Sequence, residues 1–221
     1  MNAPLENNPL PCRPKSERLD DYLAQSDVID WRAPTIAATA NQITAHGGSE
    51  ATRAKHLFEW VRDNIPHSCD AGHQTLTCRA SDVLRLRTGM CFAKSHLLVA
   101  LFRSVGIPAG FCYQWLRYNE QSADMTLHGL CAVHLKSLER WIRIDPRGNK
   151  PGVDAQFQLD REQLAFPTNP ALGEEICPVI FAEPLPVVVQ CLTTAATAGE
   201  AISQLLVKGK PPEFFVNAPA S

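Results

Sequence analysis

Cys91, His128 and Asp145 are the residues of this sequence whose types and settings can do covalent chemistry. Cys91 follows the turn Arg87-Thr-Gly-Met and opens a run, Phe92 to Val105, whose apolar residues Leu97, Leu98, Ala100, Leu101 and Val105 recur mostly on one helical stripe. Gly106 and Pro108 end that run. A cysteine in the first turn of a helix lies where unpaired N–H groups concentrate partial positive charge. That field favours the thiolate, the form in which sulfur is a nucleophile. The alternative is a small buried hydrophobe, and position alone does not choose between them.

The partners lie on a predicted hairpin. Leu127–Leu135 and Arg140–Ile144 read as antiparallel strands, and a tight turn at Lys136 and Ser137 would set Ala132 opposite Trp141, Leu130 opposite Arg143 and His128 opposite Asp145. The other face, with Cys131, Val133, Leu135, Leu138, Ile142 and Ile144, is apolar and reads as core. Opposed side chains have Cβ atoms ~4.5–5.5 Å apart, so a carboxylate at 145 can hold the ring of His128 in one tautomer and stabilise its protonated form. His134, opposite Glu139, is the competing base, but it stands beside the turn where a solvated pair is expected. His96 is too far round the helix to meet the Cys91 sulfur and is assigned to packing or surface.

The elements that would position these groups follow in order. Residues 1–15, with four prolines, read as a loose arm. Ser16 can cap a short helix over Glu17–Gln25 with Leu19, Tyr22 and Leu23 inward. A helix from Pro34 to about Ala45 precedes Gly47-Gly48, and Ser49 caps a stronger one in which Ala54, Leu57, Phe58, Val61 and Ile65 recur until Pro66. His67 to Cys78 is a polar loop able to wall a cleft, though most of it reads as a solvated connector. Ser81–Leu86 is a short helix. Gly110–Tyr118 is an aromatic-rich strand, followed by a polar loop over Asn119–Thr126 that can rim a substrate site. Val153–Pro178 is irregular with a short helix at Arg161–Ala165. Val179–Phe181 and Val187–Leu192 read as strands, and Thr194 caps a final helix that runs to Gly209 with Ala198, Ile202, Leu205 and Leu206 inward. Residues 16–209 therefore read as one domain, with 210–221 as a tail.

Composition narrows the function classes. A net charge of −2 and 45% apolar residues fit an ordinary globule and give no reason to expect nucleic acid or an anionic membrane as partner. No apolar run is long enough to span a bilayer. The opening Met1-Asn-Ala-Pro-Leu-Glu-Asn-Asn has neither the basic start nor the apolar stretch of an export signal, which points to the cytoplasm. The eight cysteines are then expected as free thiols. Cys69, His73 and Cys78 match no strong zinc spacing, so neither metal nor cofactor is expected.

Two segments resemble a known family. Ala80-Ser-Asp-Val-Leu, Thr88-Gly-Met-Cys91 and Leu101-Phe-Arg-Ser-Val-Gly-Ile-Pro-Ala109 resemble the nucleophile region of the transglutaminase-like superfamily, and His128-Gly-Leu-Cys-Ala-Val-His with Arg140-Trp-Ile-Arg-Ile-Asp145-Pro resembles its histidine and aspartate segments. The resemblance covers about residues 50–150 and keeps the order Cys, His, Asp. It implies an α+β, papain-like core in which the nucleophile helix packs against an antiparallel sheet, with extra N-terminal helices and a C-terminal helix. It implies Cys91 as nucleophile, His128 as general base and acid, and Asp145 as orienter. Leu130 stands where the family often has tryptophan, which alters the wall beside the site. Neither the added β domains and calcium sites of animal transglutaminases nor the zinc module of peptide glycanases is present, and the chain looks most like stand-alone bacterial members of unassigned substrate.

The expected chemistry is hydrolysis of a peptide or isopeptide amide through an acyl-enzyme, on a peptide or protein substrate. An amine acceptor in place of water would make it a transglutaminase. A binding module that kept the fold, or a thiol-rich structural protein, are the non-enzymatic alternatives. The Cys91 N–H can supply one oxyanion donor, with Gln74, Tyr113 and Gln114 as candidates for the second.

Overall fold

The computed structural model describes residues 12–119 and 123–207. Four helices precede the main sheet: α1 (Pro34–Thr44), α2 (Glu50–Asn64), α3 (Ala80–Leu86) and α4 (Cys91–Ser104). The caps follow from the residue types. Pro34 opens α1 and the Ser49 hydroxyl accepts from the N–H of Thr52 at the start of α2. Helix α4 is buried on every side from Cys91 to Arg103, as a helix at the centre of a core must be. It packs on α1, α2 and α3 on one side and on the sheet on the other. Gly106 takes a left-handed φ of 76° just beyond its end.

Two charged residues of α4 are buried, and each ties the helix to backbone carbonyls of neighbouring segments. Lys94 donates from Nζ to the carbonyl oxygens of Arg62 (3.2 Å) and Ile65, closing the C-terminus of α2. Burial pushes its ammonium down to about 7, against the field of Asp145. Arg103 donates to the carbonyls of Ala24 (2.6 Å), Ala109 and Ala182.

The sheet is antiparallel. Strands β2 (Ala109–Arg117), β3 (Met125–Leu135) and β4 (Arg140–Ile144) form its centre, with β1 (Arg13–Pro14) pairing elsewhere, in parallel, with β6 (Val179–Ile180). β5 (Glu175–Ile176) extends the sheet beyond β2, and β7 (Leu206–Val207) pairs with the start of β3. β4 pairs with residues 131–135 of β3 and β7 with 125–126, both along the same edge. Residues 127–130 lie in the gap between them, and His128 is in that gap.

The hairpin register differs from the expected one. Ala132 pairs with Arg143 and His134 with Trp141, because the connection is a 3₁₀ turn over Lys136–Leu138 closed by Glu139 at φ 50°, two residues longer than a tight turn. The slip is even, so every side chain keeps its face. Cys131, Val133, Leu135, Ile142 and Ile144 lie in the main core as expected, whereas Leu138, read with them, is exposed in the 3₁₀ turn, and Leu130 and Ala132 meet Tyr22, Cys112 and Ile180 on the other face. His134 therefore lies against Trp141, with ring centroids 5.3 Å apart, and not opposite Glu139.

Five further expectations are corrected. The segment after Ser16 is a 3₁₀ helix, Leu19–Leu23, because the Ser16 hydroxyl bonds to Asp21 and accepts from Arg18 N. Residues 13 and 14, read as part of the arm, form a strand. Val187–Leu192 lies in a helix, α5 (Pro186–Thr194), where Pro186 at the first turn and burial of Val188, Cys191 and Leu192 override the strand preference of three valines. The final helix, α6 (Ala198–Leu205), starts at Thr197, whose hydroxyl accepts from Glu200 N while the Glu200 carboxylate accepts from Ala196 N. No helix forms at Arg161–Ala165. Parts of the expected 1–15 arm, the 119–126 loop and the C-terminal tail lie outside the described residues. Among the described residues no helix is long and apolar enough to cross a membrane.

Candidate active site

Helix α4 begins at Cys91 with Met90 as its N-cap, a residue whose side chain offers no capping bond. The N–H groups of the first turn are thus not consumed by a capping oxygen. Beside this tip runs β3. Gly129 allows the approach: a Cβ there would lie 2.4 Å from the Phe92 ring. The strand residue next to it, His128, is brought to the thiol. His128 Nε2 is 2.8 Å from Asp145 Oδ2, which leaves Nδ1 to meet the Cys91 sulfur. Asp145 reaches back from the end of β4 across the gap in the sheet edge, so the pair forms without being opposed in the ladder.

Asp145 is fully buried and saturated with donors. Its Oδ1 accepts from Arg147 N (3.0 Å) and its Oδ2 also accepts from Ala165 N (3.2 Å). Burial opposes its charge, but His128 and these N–H groups outweigh it and hold the carboxyl below the usual range. Burial likewise opposes the imidazolium of His128, and the charges of Asp145 and Cys91 overcome it and raise the ring well above an ordinary histidine. Burial raises the Cys91 thiol too, and the charge and hydrogen bonds of His128 and His67 reverse the sign and lower it. The other seven cysteines all shift upward, through burial. All eight are free thiols.

Residues 37–146 match the model of the transglutaminase-like superfamily. That stretch, about half of the chain, belongs to this superfamily. A solved structure of a candidate cysteine protease from Cytophaga hutchinsonii is similar at a TM-score of 0.50 and 18% identity, covering 62% of this chain and 46% of that one. The periplasmic domain of TgpA from Pseudomonas aeruginosa, bound to ethylmercury, gives 0.42 at 15% identity, covering 57% and 46%. The chain thus spans less than half the length of these two structures, and the first supports a shared fold. No curated protein matches the chain.

Within this transglutaminase-like core, Cys91, His128 and Asp145 converge, and the expected second donors do not join them. None of Gln74, Tyr113 or Gln114 lines the cleft around the sulfur. Gln74 is exposed in the loop. The Tyr113 hydroxyl accepts from Leu185 N (3.0 Å). Gln114 pairs with His128 across the sheet and donates from Nε2 to the carbonyl of Phe166 (2.8 Å). That bond holds the Phe166 ring edge-on to the His128 ring, centroids 5.1 Å apart. His96 is buried, with Nδ1 2.8 Å from the Cys78 carbonyl, and burial pushes its ring down to about 4.

The cleft has a volume of about 270 Å³. Met90, Leu116, Leu127 and Phe166 give it apolar walls, and Ile202 and Leu205 of α6 close one side. Another wall is the loop that starts at His67 and Cys69 and is tied back to Thr88. Ser68 Oγ, His73 Nδ1 and Thr77 Oγ1 all bond to Thr88, and Asp70 receives two bonds from the Arg147 guanidinium, at 2.6 and 3.1 Å. Burial opposes the Asp70 charge, and Arg147 and Lys150 outweigh it and lower the carboxyl to about 2. Arg147 thus links Asp145 on one wall to Asp70 on the other. The sequence reading left out His67, which lines the cleft with the thiol. Its signal was the histidine directly after Pro66, where a helix ends and a polar loop turns toward the nucleophile.

Proposed function

We propose that this protein is a cysteine hydrolase that cleaves carboxamide bonds through an acyl-enzyme on Cys91. The observation that carries this reading is the convergence of a helix-tip sulfur with a carboxylate-held imidazole, His128 Nε2 to Asp145 Oδ2 at 2.8 Å, on the fold of a superfamily whose core matches residues 37–146. In the resting site the sulfur is a thiolate and His128 is protonated. The sulfur attacks the carbonyl carbon, forming a C–S bond as the π electrons move to oxygen. Collapse of that oxyanion breaks the C–N bond while His128 Nδ1 gives its proton to the leaving amine. His128 then takes a proton from water, the hydroxide attacks the thioester, and the sulfur leaves as thiolate. Asp145 stays ionised throughout and keeps the ring oriented. The apolar walls of the cleft suit an acyl group flanked by apolar side chains, with Arg117 and Arg147 also lining it.

An activated ester, 4-nitrophenyl acetate, tests the reading without knowledge of the substrate. Release of nitrophenolate with acetyl thioester recovered on the Cys91 peptide is the expected result. Acetylation spread evenly over Cys91 and Cys69, or absent from Cys91, would overturn it.

A further inference from the structure

The acyl-transfer reading needs two donors for the oxyanion, and the helix tip gives one in the Cys91 N–H. His67 lines the same cleft as the sulfur. Its backbone is locked to the turn that starts α4: it forms a parallel bridge with Gly89, Ser68 N donates to Gly89 O (3.1 Å), and Gly89 N donates to Pro66 O (3.4 Å). The ring lines the cleft beside the Cys91 sulfur and is one of the influences that lower the thiol. Nδ1 is buried with no partner among the described residues, so Nε2 is the nitrogen left to serve the sulfur. Unlike His128, this ring has no carboxylate hydrogen-bonded to it among the described residues: the neighbouring Asp70 carboxylate is taken up by Arg147 and Lys150. A base needs such a partner to stabilise the proton it takes, whereas a donor needs only an N–H in a fixed place.

We propose that His67 is the second oxyanion donor of this site, resting on the acyl-transfer reading above. Its Nε2–H donates to the Cys91 sulfur in the free protein. When the sulfur bonds to carbon, the same N–H swings to the new oxyanion beside the Cys91 N–H. No proton leaves His67 at any step, so it differs in kind from His128. The loop that carries it is braced by the Ser68, His73 and Thr77 bonds to Thr88, which keeps the donor in place before substrate arrives.

Two reactions of the same sulfur separate this role from others. Acylation by 4-nitrophenyl acetate passes through an oxyanion; alkylation by iodoacetamide does not. Both are measured at mildly alkaline pH on the wild type, His67→Leu, His67→Ala and His67→Gln. The expected result is an acylation rate lower by ~10²-fold in the Leu and Ala variants and recovered to within about tenfold in Gln, which restores an N–H, with alkylation of Cys91 changed by no more than about threefold in all. Wild-type acylation in any variant without the donor would overturn the proposal. So would an equal fall of both reactions, or a Gln variant as impaired as Leu, since either marks a packing role. If the wild type itself fails to acylate Cys91, the acyl-enzyme reading fails first, and the alkylation arm shows it independently. Should Leu and Ala not fold, judged by circular dichroism, His67→Asn, with its shorter amide, decides by the same ratio of rates.

Discussion

His128 and His67 meet the same sulfur from two walls built by different means. The first wall is a strand. His128 is held by the β2–β3 ladder, its ring is fixed by Asp145, and Asp145 is itself fixed by two backbone N–H groups. The second wall is a loop whose order comes from side chains converging on Thr88 and from the Asp70–Arg147 ion pair. On the strand wall a carboxylate is hydrogen-bonded to the imidazole; on the loop wall the Asp70 carboxylate is bound by Arg147 and Lys150 instead. The strand wall is therefore suited to moving a proton, and the loop wall to holding a hydrogen bond still. Two histidines at one sulfur need not share one task, and what stands behind each ring separates them.

The largest effect is expected from His128→Ala. Acylation of Cys91 should fall on the order of 10³-fold or more, because the proton carrier is gone. The pH profile of alkylation should also move up toward that of an ordinary thiol, since the leading favourable influence on the thiolate is this ring. The loop wall alone should not restore it. Asp145→Asn comes next: the ring remains but loses its stabilising charge, and an acylation loss of ~10²-fold or more is expected, with the alkylation profile moved less than in His128→Ala. Equal losses in the two variants would show that His128 contributes only through Asp145.

Gly129→Ala tests the seating of the strand wall against the helix tip. The added methyl would meet the buried Phe92 ring at 2.4 Å, so a stability loss of ~1–3 kcal/mol is expected in chemical unfolding, with a fall in acylation from a displaced Cys91. Thr88→Val is the matching test of the loop wall. It removes the hydroxyl that serves Ser68 and His73, and about 1–2 kcal/mol of stability should go with it. Acylation should drop several-fold while alkylation holds, mirroring the His67 variants on a smaller scale.

The smallest effect concerns acid. Asp70 has a folded carboxyl pKa of about 2, below the unfolded value near 3.9. Its contribution is present above the unfolded value and is lost as pH falls through the folded one. The wild type should therefore lose thermal stability faster than Asp70→Asn between about pH 4 and 2. Because Asp70 is one-third exposed, solvent screens the pair and the difference should be small. Parallel stability curves for the two proteins would count against the link between the walls.

The strand wall was far more legible in the sequence than the loop wall. Cys91 at a helix start, the long apolar run behind it and the alternation of β3 are local patterns, and each formed where the pattern placed it. His128 and Asp145 came together even though the register was wrong by two residues, because an even slip preserves faces and because Asp145 reaches around the strand end. The register itself depended on a left-handed Glu139, a conformation that sequence rarely advertises outside glycine. The loop wall has no periodicity to read. Thr88 binds partners ten to twenty residues away, and His67 acquires its place from a single bridge to Gly89. The valine run of α5 misled for a related reason: its preference was local, and the burial that decided its form was not.

The central claim is a thiolate at Cys91 held by an imidazolium, and the pH dependence of iodoacetamide alkylation, resolved cysteine by cysteine, tests it most directly. The account predicts that Cys91 reacts already at mildly acidic pH, well below the range in which an ordinary thiol of pKa ~8.5 ionises, while the seven other cysteines lag. A Cys91 that titrates like an ordinary thiol, or reacts no faster than exposed Cys69, would contradict it.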